Sequence, residues 1–194
     1  MTPQRLHAKT LKMKKKSIEA YMQGALHDGT YCKRHKTHRF SQSNIEWLEH
    51  LQNLFSEIGC RSWIYREGRQ RRLWILETTA KFLTIGFDSS ALKTREEKIS
   101  YIRGYFDAEG GIPRKIDARF YIQFTQNDKE DLARLKNLLK EIGIECGKIH
   151  NPSERIDPDY YRFFVLADSH QDFSKIVNSW HPRKKRLLDL RVMI

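Results

Sequence analysis

Apolar side chains recur at helical spacing in two stretches of this sequence. In the first stretch they are Leu48, Leu51, Leu54, Phe55 and Ile58, and in the second they are Leu132, Leu135, Leu138, Leu139 and Ile142. Spacings of three and four residues are typical of an amphipathic helix, and a glycine that follows such a run commonly ends it. Gly59 and Gly143 stand at those two places. The pattern therefore predicts two helices of the same design.

The similarity between the two stretches extends beyond their apolar positions. "RFSQSNIEWLEHLQNLFSEIG" (39–59) aligns without a gap on "QFTQNDKEDLARLKNLLKEIG" (123–143), at a constant offset of 84 residues. Identical pairs include Phe40 with Phe124, Gln42 with Gln126, Leu48 with Leu132, and Asn53 with Asn137. We infer one structural unit written twice. The predicted repeats are residues 1–93 and residues 94–194, with a basic extension at each end of the chain.

Strand patterns surround each predicted helix. "RFYIQFTQ" (119–126) alternates apolar with polar residues, which predicts a strand with one face toward a core. Two further strand-like runs follow each helix, and an apolar helix precedes each unit. The second opening helix starts at a capping box formed by Thr94 and Glu97. The predicted fold class is α+β, with two tandem αββαββα repeats and antiparallel sheets, arranged as a pseudo-dimer within one chain.

The two opening helices carry small residues at matching positions. These are Ala20 and Gly24 in the first helix and Gly104 and Ala108 in the second. Small side chains let two helix backbones approach closely. We expect the helices to pack through these residues, so that their C-terminal ends meet at a pseudo-twofold axis.

The charge of the chain indicates its class of partner. Lysine and arginine total 36 against 24 acidic residues, which gives a net charge of +12 and favours a polyanionic partner. The sequence contains no long apolar span and its first residues lack the apolar core of a signal peptide, so nucleic acid is favoured over a membrane. We expect an intracellular protein, in the cytoplasm, nucleoid or an organelle matrix. Its three cysteines are then reduced.

An acid stands where each opening helix ends. In "YIRGYFDAEGG" (101–111) it is Glu109, since Asp107 points about 200° away around the helix. In "YMQGALHDGTY" (21–31) an ungapped alignment places Gly29 opposite Glu109, whereas one deleted residue places Asp28 there. We favour Asp28. Two carboxylates beside a phosphodiester repel it unless divalent metal ions lie between them, and Mg²⁺ suits oxygen ligands. Mn²⁺ or Ca²⁺ could substitute.

The motif and the duplication together resemble the LAGLIDADG homing endonucleases in their single-chain, two-repeat form, over roughly residues 17 to 178. The resemblance implies a saddle-shaped protein that lays its sheets on a long double-stranded DNA site and cuts both strands with divalent metal. It also implies that Glu109 binds metal with help from the Ala108 carbonyl group. Gln42 and Gln126 fall where that family places a glutamine that orients water.

Polar and basic side chains on the predicted sheet faces and strand tips are expected to contact DNA, because arginine suits phosphate and guanine edges. In the first repeat they are Lys33, Arg34, Lys36, Arg39, Ser41, Arg66, Arg69, Arg71 and Arg72. In the second they are Arg114, Lys115, Arg119, Tyr121, Gln123, Thr125, Lys148 and Arg162. The basic run "WHPRKKRLLDL" (180–190) either extends this phosphate contact or is a solvated end.

The sequence thus predicts a monomeric, site-specific DNA endonuclease that uses magnesium. Two alternatives stay open. One is a maturase of the same fold, which would bind folded intron RNA through the basic face without any chemistry. The other is a cleavage-impaired nickase or a DNA-binding regulator, which the irregular first motif favours.

Overall fold

The computed structural model describes residues 3–68, 72–115 and 117–192, with side chains inside the first helix from residue 14 onward. Six helices are present in this part of the chain: α1 Pro3–Ala25, α2 Ile45–Glu57, α3 Arg95–Glu109, α4 Lys129–Glu141, α5 His170–Ile176 and α6 Pro182–Val192. The strands are β1 Thr30–Cys32, β2 Thr37–Gln42, β3 Ser62–Arg66, β4 Trp74–Thr78, β5 Gln123–Gln126 and β6 Tyr161–Phe164. Single 3-10 turns cover Leu26–Asp28, Ser89–Ala91 and Ala167–Ser169. No described helix has both the length and the apolar character needed to cross a bilayer.

The first repeat is a four-stranded antiparallel sheet with α2 against one face. The strand order is β1-β2-β4-β3. Phe40 from β2 and Leu76 from β4 are register partners, and both are buried against α2 in one apolar cluster. Asn44 caps the start of α2 by accepting a hydrogen bond from the Glu46 amide at 3.0 Å, and Gly59 follows the helix with a positive φ of 76°. The predicted helix and its ends are therefore present.

The second repeat follows the same plan with shorter strands. β5 and β6 pair antiparallel, Gly111 bridges to the outer side of β5, His150 bridges to β6, and Cys146 bridges to Val165 just after β6. The spatial order of these segments matches that of the first sheet. Two predicted strand regions are reduced to these bridges, because Pro113 has no amide hydrogen to donate and Gly147 has no side chain to pack. The predicted strand at 119–126 likewise begins only at Gln123.

The final helical piece also differs between the repeats. The first repeat ends in the 3-10 turn at Ser89–Ala91, whereas the second has the 3-10 turn at Ala167–Ser169 followed by α5. Antiparallel sheets covered by helices, in two related halves, confirm the predicted fold class.

Helices α1 and α3 cross in the centre of the molecule, and their backbones touch at two glycines. A Cβ atom added at Gly24 would lie 2.1 Å from the Tyr101 carbonyl oxygen. A Cβ atom added at Gly104 would lie 2.0 Å from the Tyr21 carbonyl oxygen. The two contacts are reciprocal, as a twofold axis between the helices requires. Only glycine permits this approach, because any side chain would push the backbones apart.

The small-residue positions also connect the two cores. Ala20 of α1 is buried in the apolar cluster of the second repeat, while Ala108 of α3 packs against the cluster of the first. Each opening helix therefore contributes to the core of the other half, which fixes the relative position of their C-terminal ends.

Candidate active site and nucleic-acid interface

Two carboxylates lie where the central helices end, and each is positioned by a different backbone device. Helix α1 stops at Ala25, and one 3-10 turn then carries the chain to Asp28. Helix α3 continues to Glu109. The first helix therefore ends three residues before its acid, whereas the second helix ends at its acid.

The turn after Glu109 is tightly fixed. The Gly110 amide donates to the Phe106 carbonyl oxygen at 2.9 Å, and Gly111 exchanges two backbone hydrogen bonds with Gln123 at 2.8 and 2.9 Å. A Cβ atom on Gly110 would lie 2.1 Å from the Phe106 ring. The glycine pair thus turns the chain straight from the helix end onto the second sheet.

The negative charge of Asp28 acts on Glu109. Burial, as the larger cause, and the charge of Asp28 together raise the pKa of Glu109 to about 7. Asp28 is exposed as a residue, yet loss of hydration around its carboxyl group raises its pKa too. Neither acid forms an ion pair with a described residue. The positive charge of Lys184, described below, acts on both acids in the opposite direction.

The two glutamines predicted to orient water have unequal surroundings. Gln42 Nε2 lies 3.5 Å from Asp28 Oδ2, at the outer limit of a hydrogen bond. Gln126 Nε2 donates to the Tyr105 hydroxyl at 3.3 Å, and its Oε1 accepts from the Asn127 amide at 2.8 Å. Gln42 thus contacts an acid of the site, whereas Gln126 is engaged by its own repeat.

A buried polar network lies directly behind Glu109. The Asp107 side chain is 1% exposed and accepts a hydrogen bond from Tyr21 Oη at 2.7 Å. Trp47 Nε1 in turn donates to Tyr21 Oη at 2.9 Å. This network joins α3 to α1 and α2, so the C-terminal end of α3 is anchored in the first repeat.

The matching position of the first repeat carries a related network with different chemistry. His27 Nε2 lies 2.6 Å from Tyr101 Oη, and His27 Nδ1 lies 3.3 Å from Asp131 Oδ2. Tyr101 corresponds to Tyr21 when Gly104 is aligned with Gly24, and Asp131 corresponds to Trp47 at the offset of 84 residues. A histidine therefore takes the place that Asp107 takes in the second repeat, next to Asp28 in sequence.

The segment after the second repeat closes over Asp107. Ser179 Oγ donates to Oδ1 of that carboxylate, while the backbone amides of Trp180 and His181 donate to Oδ2 at 2.9 and 3.2 Å. The Trp180 ring packs on Tyr21 with centroids 4.5 Å apart, and the His181 ring stacks on Trp47 at 5.7 Å. The C-terminal segment thus links both repeats.

Lys184 extends from the first turn of α6 to the same helix end. Its Nζ donates to the carbonyl oxygens of Phe106 at 2.6 Å and Asp107 at 2.9 Å, and the side chain is only 4% exposed. Burial lowers its pKa to about 8, although the nearby charge of Asp107 favours the protonated form. Lysine commonly binds the free carbonyl groups at a helix C-terminus. Its positive charge lowers the pKa values of Asp28 and Glu109 against the effect of burial.

The sequence predicts that this basic run either contacts phosphate or is a solvated end. Neither prediction holds for Trp180, His181 and Lys184. Their side chains pack on α1 and α2 or bond the end of α3. A signal was present, however. Pro182 suits the first position of a helix, and Leu187 and Leu188 give α6 an apolar side, which is buried.

The donor set at the helix ends fits a metal ion that takes oxygen ligands and shares its coordination with water or substrate. Among the described residues no group of three histidine, cysteine, aspartate or glutamate side chains could enclose a metal. Two carboxylates are available, and the Ala108 carbonyl group follows the two that Lys184 occupies. Magnesium and calcium bind in such settings, whereas structural zinc needs a closed set of four ligands.

Most residues predicted to contact DNA have accessible surface in the structure. The exposed ones are Lys33, Arg34, Lys36, Arg66, Arg72, Arg114, Lys115, Arg119 and Lys148. Half-buried positions are Arg39, Ser41, Tyr121, Gln123, Thr125 and Arg162. Arg69 and Arg71 lie outside the described residues.

Two of these arginines are already engaged within their sheets. Arg39 Nε donates to Glu77 Oε1, its register partner, so its charge is balanced in the first sheet. Arg162 lies over the Phe164 ring at 5.2 Å, and its Nε is 3.3 Å from His150 Nε2. These contacts orient both side chains on the sheet face.

Comparison with known proteins agrees with this architecture. A family model described as a LAGLIDADG-like domain matches residues 96–178. The resemblance noted in the sequence is therefore confirmed for the second repeat. No curated protein matches the chain in sequence.

Solved structures extend the agreement to the whole fold. A variant of I-DmoI in complex with its target DNA in the presence of Mg is 17% identical, with a TM-score of 0.62 over 85% of this chain and 97% of that one. I-DmoI in complex with DNA and Ca gives 17% identity and a TM-score of 0.63 over 91% and 98% of the two chains. Full-length DUF199/WhiA from Thermatoga maritima gives 16% identity and a TM-score of 0.63 over 93% of this chain and 62% of that one.

The segment that the family model matches contains some residues of the site but not all of them. Ala108, Glu109 and Gln126 lie inside the domain, and so does Asp107. Lys184 lies beyond its end, so the group that caps α3 comes from outside the part of the chain that the family model matches.

Proposed function

We propose that this protein is a site-specific double-stranded DNA endonuclease that hydrolyses phosphodiesters with divalent metal at the ends of α1 and α3. The observation that carries the proposal is the pair Asp28 and Glu109, two carboxylates from different repeats: burial, and in addition the negative charge of Asp28, raises the pKa of Glu109 to about 7. Repulsion between like charges is relieved when a cation binds. Lys184 supplies positive charge nearby, but its ammonium group donates to carbonyl oxygens and not to either carboxylate.

In this proposal Asp28 and Glu109 hold magnesium together with the Ala108 carbonyl group. When bound, the metal polarises the scissile phosphate and lowers the pKa of attacking water. Mn²⁺ and Ca²⁺ are alternative occupants, and I-DmoI has been solved with Mn and with Ca. Gln42 orients water on the side of Asp28, and Gln126 orients water on the side of Glu109. For this role the hydrogen bond from Gln126 to the Tyr105 hydroxyl must first break.

Lys184 acts as a positioning residue. It binds the last α3 carbonyl groups before Ala108 and thereby fixes the direction in which the Ala108 carbonyl and the Glu109 side chain point. Catalysis depends on such placement, because misplacement by about 1 Å can cost about 100-fold in rate. Asp107 supports the same helix end from the opposite side.

DNA would lie along the two sheets, with the predicted basic and polar side chains on its phosphates and base edges. The net charge of +12 favours such a partner, and the I-DmoI structures of the same fold contain DNA. Because both repeats and both carboxylates belong to one chain, we propose that a monomer is active, inside the cell where DNA is present.

A protein that binds or nicks DNA is the second candidate. It is favoured by the irregular first motif, in which a 3-10 turn and not a helix end carries Asp28. If Asp28 fails to hold metal, only the half of the site around Glu109 stays active. An intron-RNA-binding protein would use the same basic face and no metal.

A plasmid-library cleavage assay with and without Mg²⁺ separates these functions. A double-strand nuclease converts supercoiled plasmids that carry the target into linear DNA only when Mg²⁺ is present. A nickase yields relaxed circles, and a binding protein yields neither product. Absence of any Mg²⁺-dependent strand break across a library that covers the possible sites would end the proposal.

A further inference from the structure

A second concave site lies in the first repeat, away from the carboxylates. It has a volume of about 820 Å³, within the range of roughly 300 to 1,000 Å³ that small-molecule sites occupy. Its walls come from the β1–β2 hairpin and from the segment 79–85 that follows β4. No acidic side chain lines it among the described residues.

The cavity opens on the helix side of the first sheet. Tyr31 and His38 are register partners that line it, and His38 shares its strand face with Phe40, which packs on α2. Arg39 and its partner Glu77 occupy the opposite face. A duplex lying on the Arg39 face therefore cannot enter this cavity, so its occupant is a different segment or molecule.

The wall of the cavity is aromatic and apolar. The rings of Tyr31 and His38 have centroids 5.0 Å apart, and Tyr31 is 44% exposed, which is unusual for a large aromatic residue. Leu83 contributes an apolar side chain below them. Such a surface can receive a planar ring by stacking.

The rim of the cavity is cationic. Lys33, Lys36 and Lys81 line it, and all three are exposed. His38 also has an unsatisfied atom, since Nδ1 is buried and has no hydrogen-bond partner among the described residues. A buried polar atom without a partner costs about 1 to 3 kcal/mol.

We propose that this cavity binds a short single-stranded segment of nucleic acid, with one base stacked on Tyr31 and the neighbouring phosphates held by Lys81, Lys33 and Lys36, so that the last two serve this site and not the duplex contact predicted for them. A stacking platform beside several lysines is the usual chemistry of single-strand recognition. The volume exceeds what a lone phosphate needs, and an acidic peptide would leave the aromatic wall without a matching planar group. The inference does not depend on phosphodiester cleavage.

The test uses fluorescence anisotropy of fluorescein-labelled six-nucleotide oligomers, one of thymidine and one of uridine, with the full-length protein. Tyr31→Ala is expected to weaken binding about 10-fold, whereas Tyr31→Phe keeps the ring and retains binding. Lys81→Ala is expected to reduce the slope of log affinity against log salt by about 0.7. Lys140→Ala, an exposed lysine on α4, is the charge-matched control and leaves the slope unchanged. Binding of both oligomers supports a site for the shared base and phosphate groups.

Five outcomes would overturn the inference, and four of them concern the oligomers themselves. They are no oligomer binding by the wild-type protein, an equal loss of slope for Lys140→Ala and Lys81→Ala, unchanged affinity for a folded Tyr31→Ala protein, and competition by polyglutamate as strong as that by unlabelled oligomer. Duplex affinity, measured in parallel, is expected to stay within about twofold for Tyr31→Ala and Lys81→Ala. A loss of duplex affinity equal to the loss of oligomer affinity would place the oligomer on the duplex-binding face and also contradict the inference.

Discussion

The Tyr21 hydroxyl donates a 2.7 Å hydrogen bond across the central helix pair to the buried carboxylate of Asp107. The equivalent bond on the other side of the pseudo-twofold axis joins Tyr101 to His27 at 2.6 Å. The same tyrosine thus meets an acid in one repeat and an imidazole in the other. The acid accepts hydrogen bonds from the C-terminal segment, and its charge favours the protonated form of Lys184, whereas the imidazole is held by Asp131. The two helix ends are consequently supported in different ways.

Replacement of Asp107 by asparagine is expected to destabilise the fold by about 2 to 4 kcal/mol, because one of its donors would meet an amide group and Lys184 would lose its buried counter-charge. Urea denaturation measures the change. Asp159→Asn, at an exposed position, serves as the matched control. A stability for Asp107→Asn equal to that of the control would mean that the network behind Glu109 contributes little.

Alanine at Gly24 or Gly104 should separate the central helices. The added Cβ atom would lie about 2 Å from a backbone carbonyl oxygen of the facing helix, so we expect a loss of about 3 kcal/mol or more for each variant. Gly147→Ala is the control, since its nearest heavy atom would be 3.6 Å away. Thermal unfolding measures the melting temperatures of the three variants, and we expect that of Gly147→Ala to be the highest. Equal melting temperatures would show that the two helices can move apart without cost.

His181 should make stability fall in acid. Burial lowers its pKa to about 4, below its ordinary value of 6.5, so the unfolded chain takes up this proton first. Its contribution is complete above pH 6.5 and is lost as the pH falls toward 4, by at most about 3 kcal/mol. His181→Phe keeps a ring on Trp47 and removes the titration.

The quantity to measure for His181 is the difference between wild type and variant in urea titrations from pH 4 to 7. Glu109, whose pKa is raised, acts in the opposite direction in the wild-type curve. His35→Gln, at an exposed position, is the control. A difference between wild type and His181→Phe that does not change with pH would rule out the buried neutral imidazole.

Lys184→Met should lower the cleavage rate of bound DNA while leaving DNA binding intact. The methionine keeps most of the side-chain length but releases the carbonyl groups of Phe106 and Asp107, so we expect a loss of about 100-fold in single-turnover rate. DNA affinity without divalent metal should change less than about twofold, because the buried ammonium group does not reach solvent.

Lys185→Met is the matched control on the same helix, where the lysine pairs only with Asp189 at 3.7 Å at the surface. It should cleave at the wild-type rate. If Lys184→Met is folded at the assay temperature and cleaves as fast as this control, Lys184 contributes only to stability.

Much of the fold could be predicted because the repeat and the helix periodicity are local features. The apolar spacing from Leu48 to Ile58 gave α2, and the capping box at Thr94 and Glu97 is present in the structure. The close helix contact followed from the small residues Ala20, Gly24, Gly104 and Ala108, and the structure places the two glycines at the point of closest approach.

The C-terminal segment could not be predicted in this way because its environment comes from residues distant in sequence. "WHPRKKR" has the composition of a solvated basic end. It is held instead by Asp107 and by the aromatic rings of Tyr21 and Trp47, which neither spacing nor charge could reveal. The position of Asp28 likewise depends on the residue at which α1 ends and on the single 3-10 turn that follows it.

Strand-cleavage rates of Glu109→Gln on a DNA target selected from the library, in the presence of Mg²⁺, test the central claim most directly. Loss of the carboxylate should reduce cleavage by about 1,000-fold, since metal-assisted stabilisation amounts to several kcal/mol, while DNA binding without metal is retained. Glu154→Gln, an exposed glutamate in the second repeat, should cleave like the wild type. Cleavage by Glu109→Gln at the wild-type rate, or wild-type cleavage that persists in EDTA, would contradict the account.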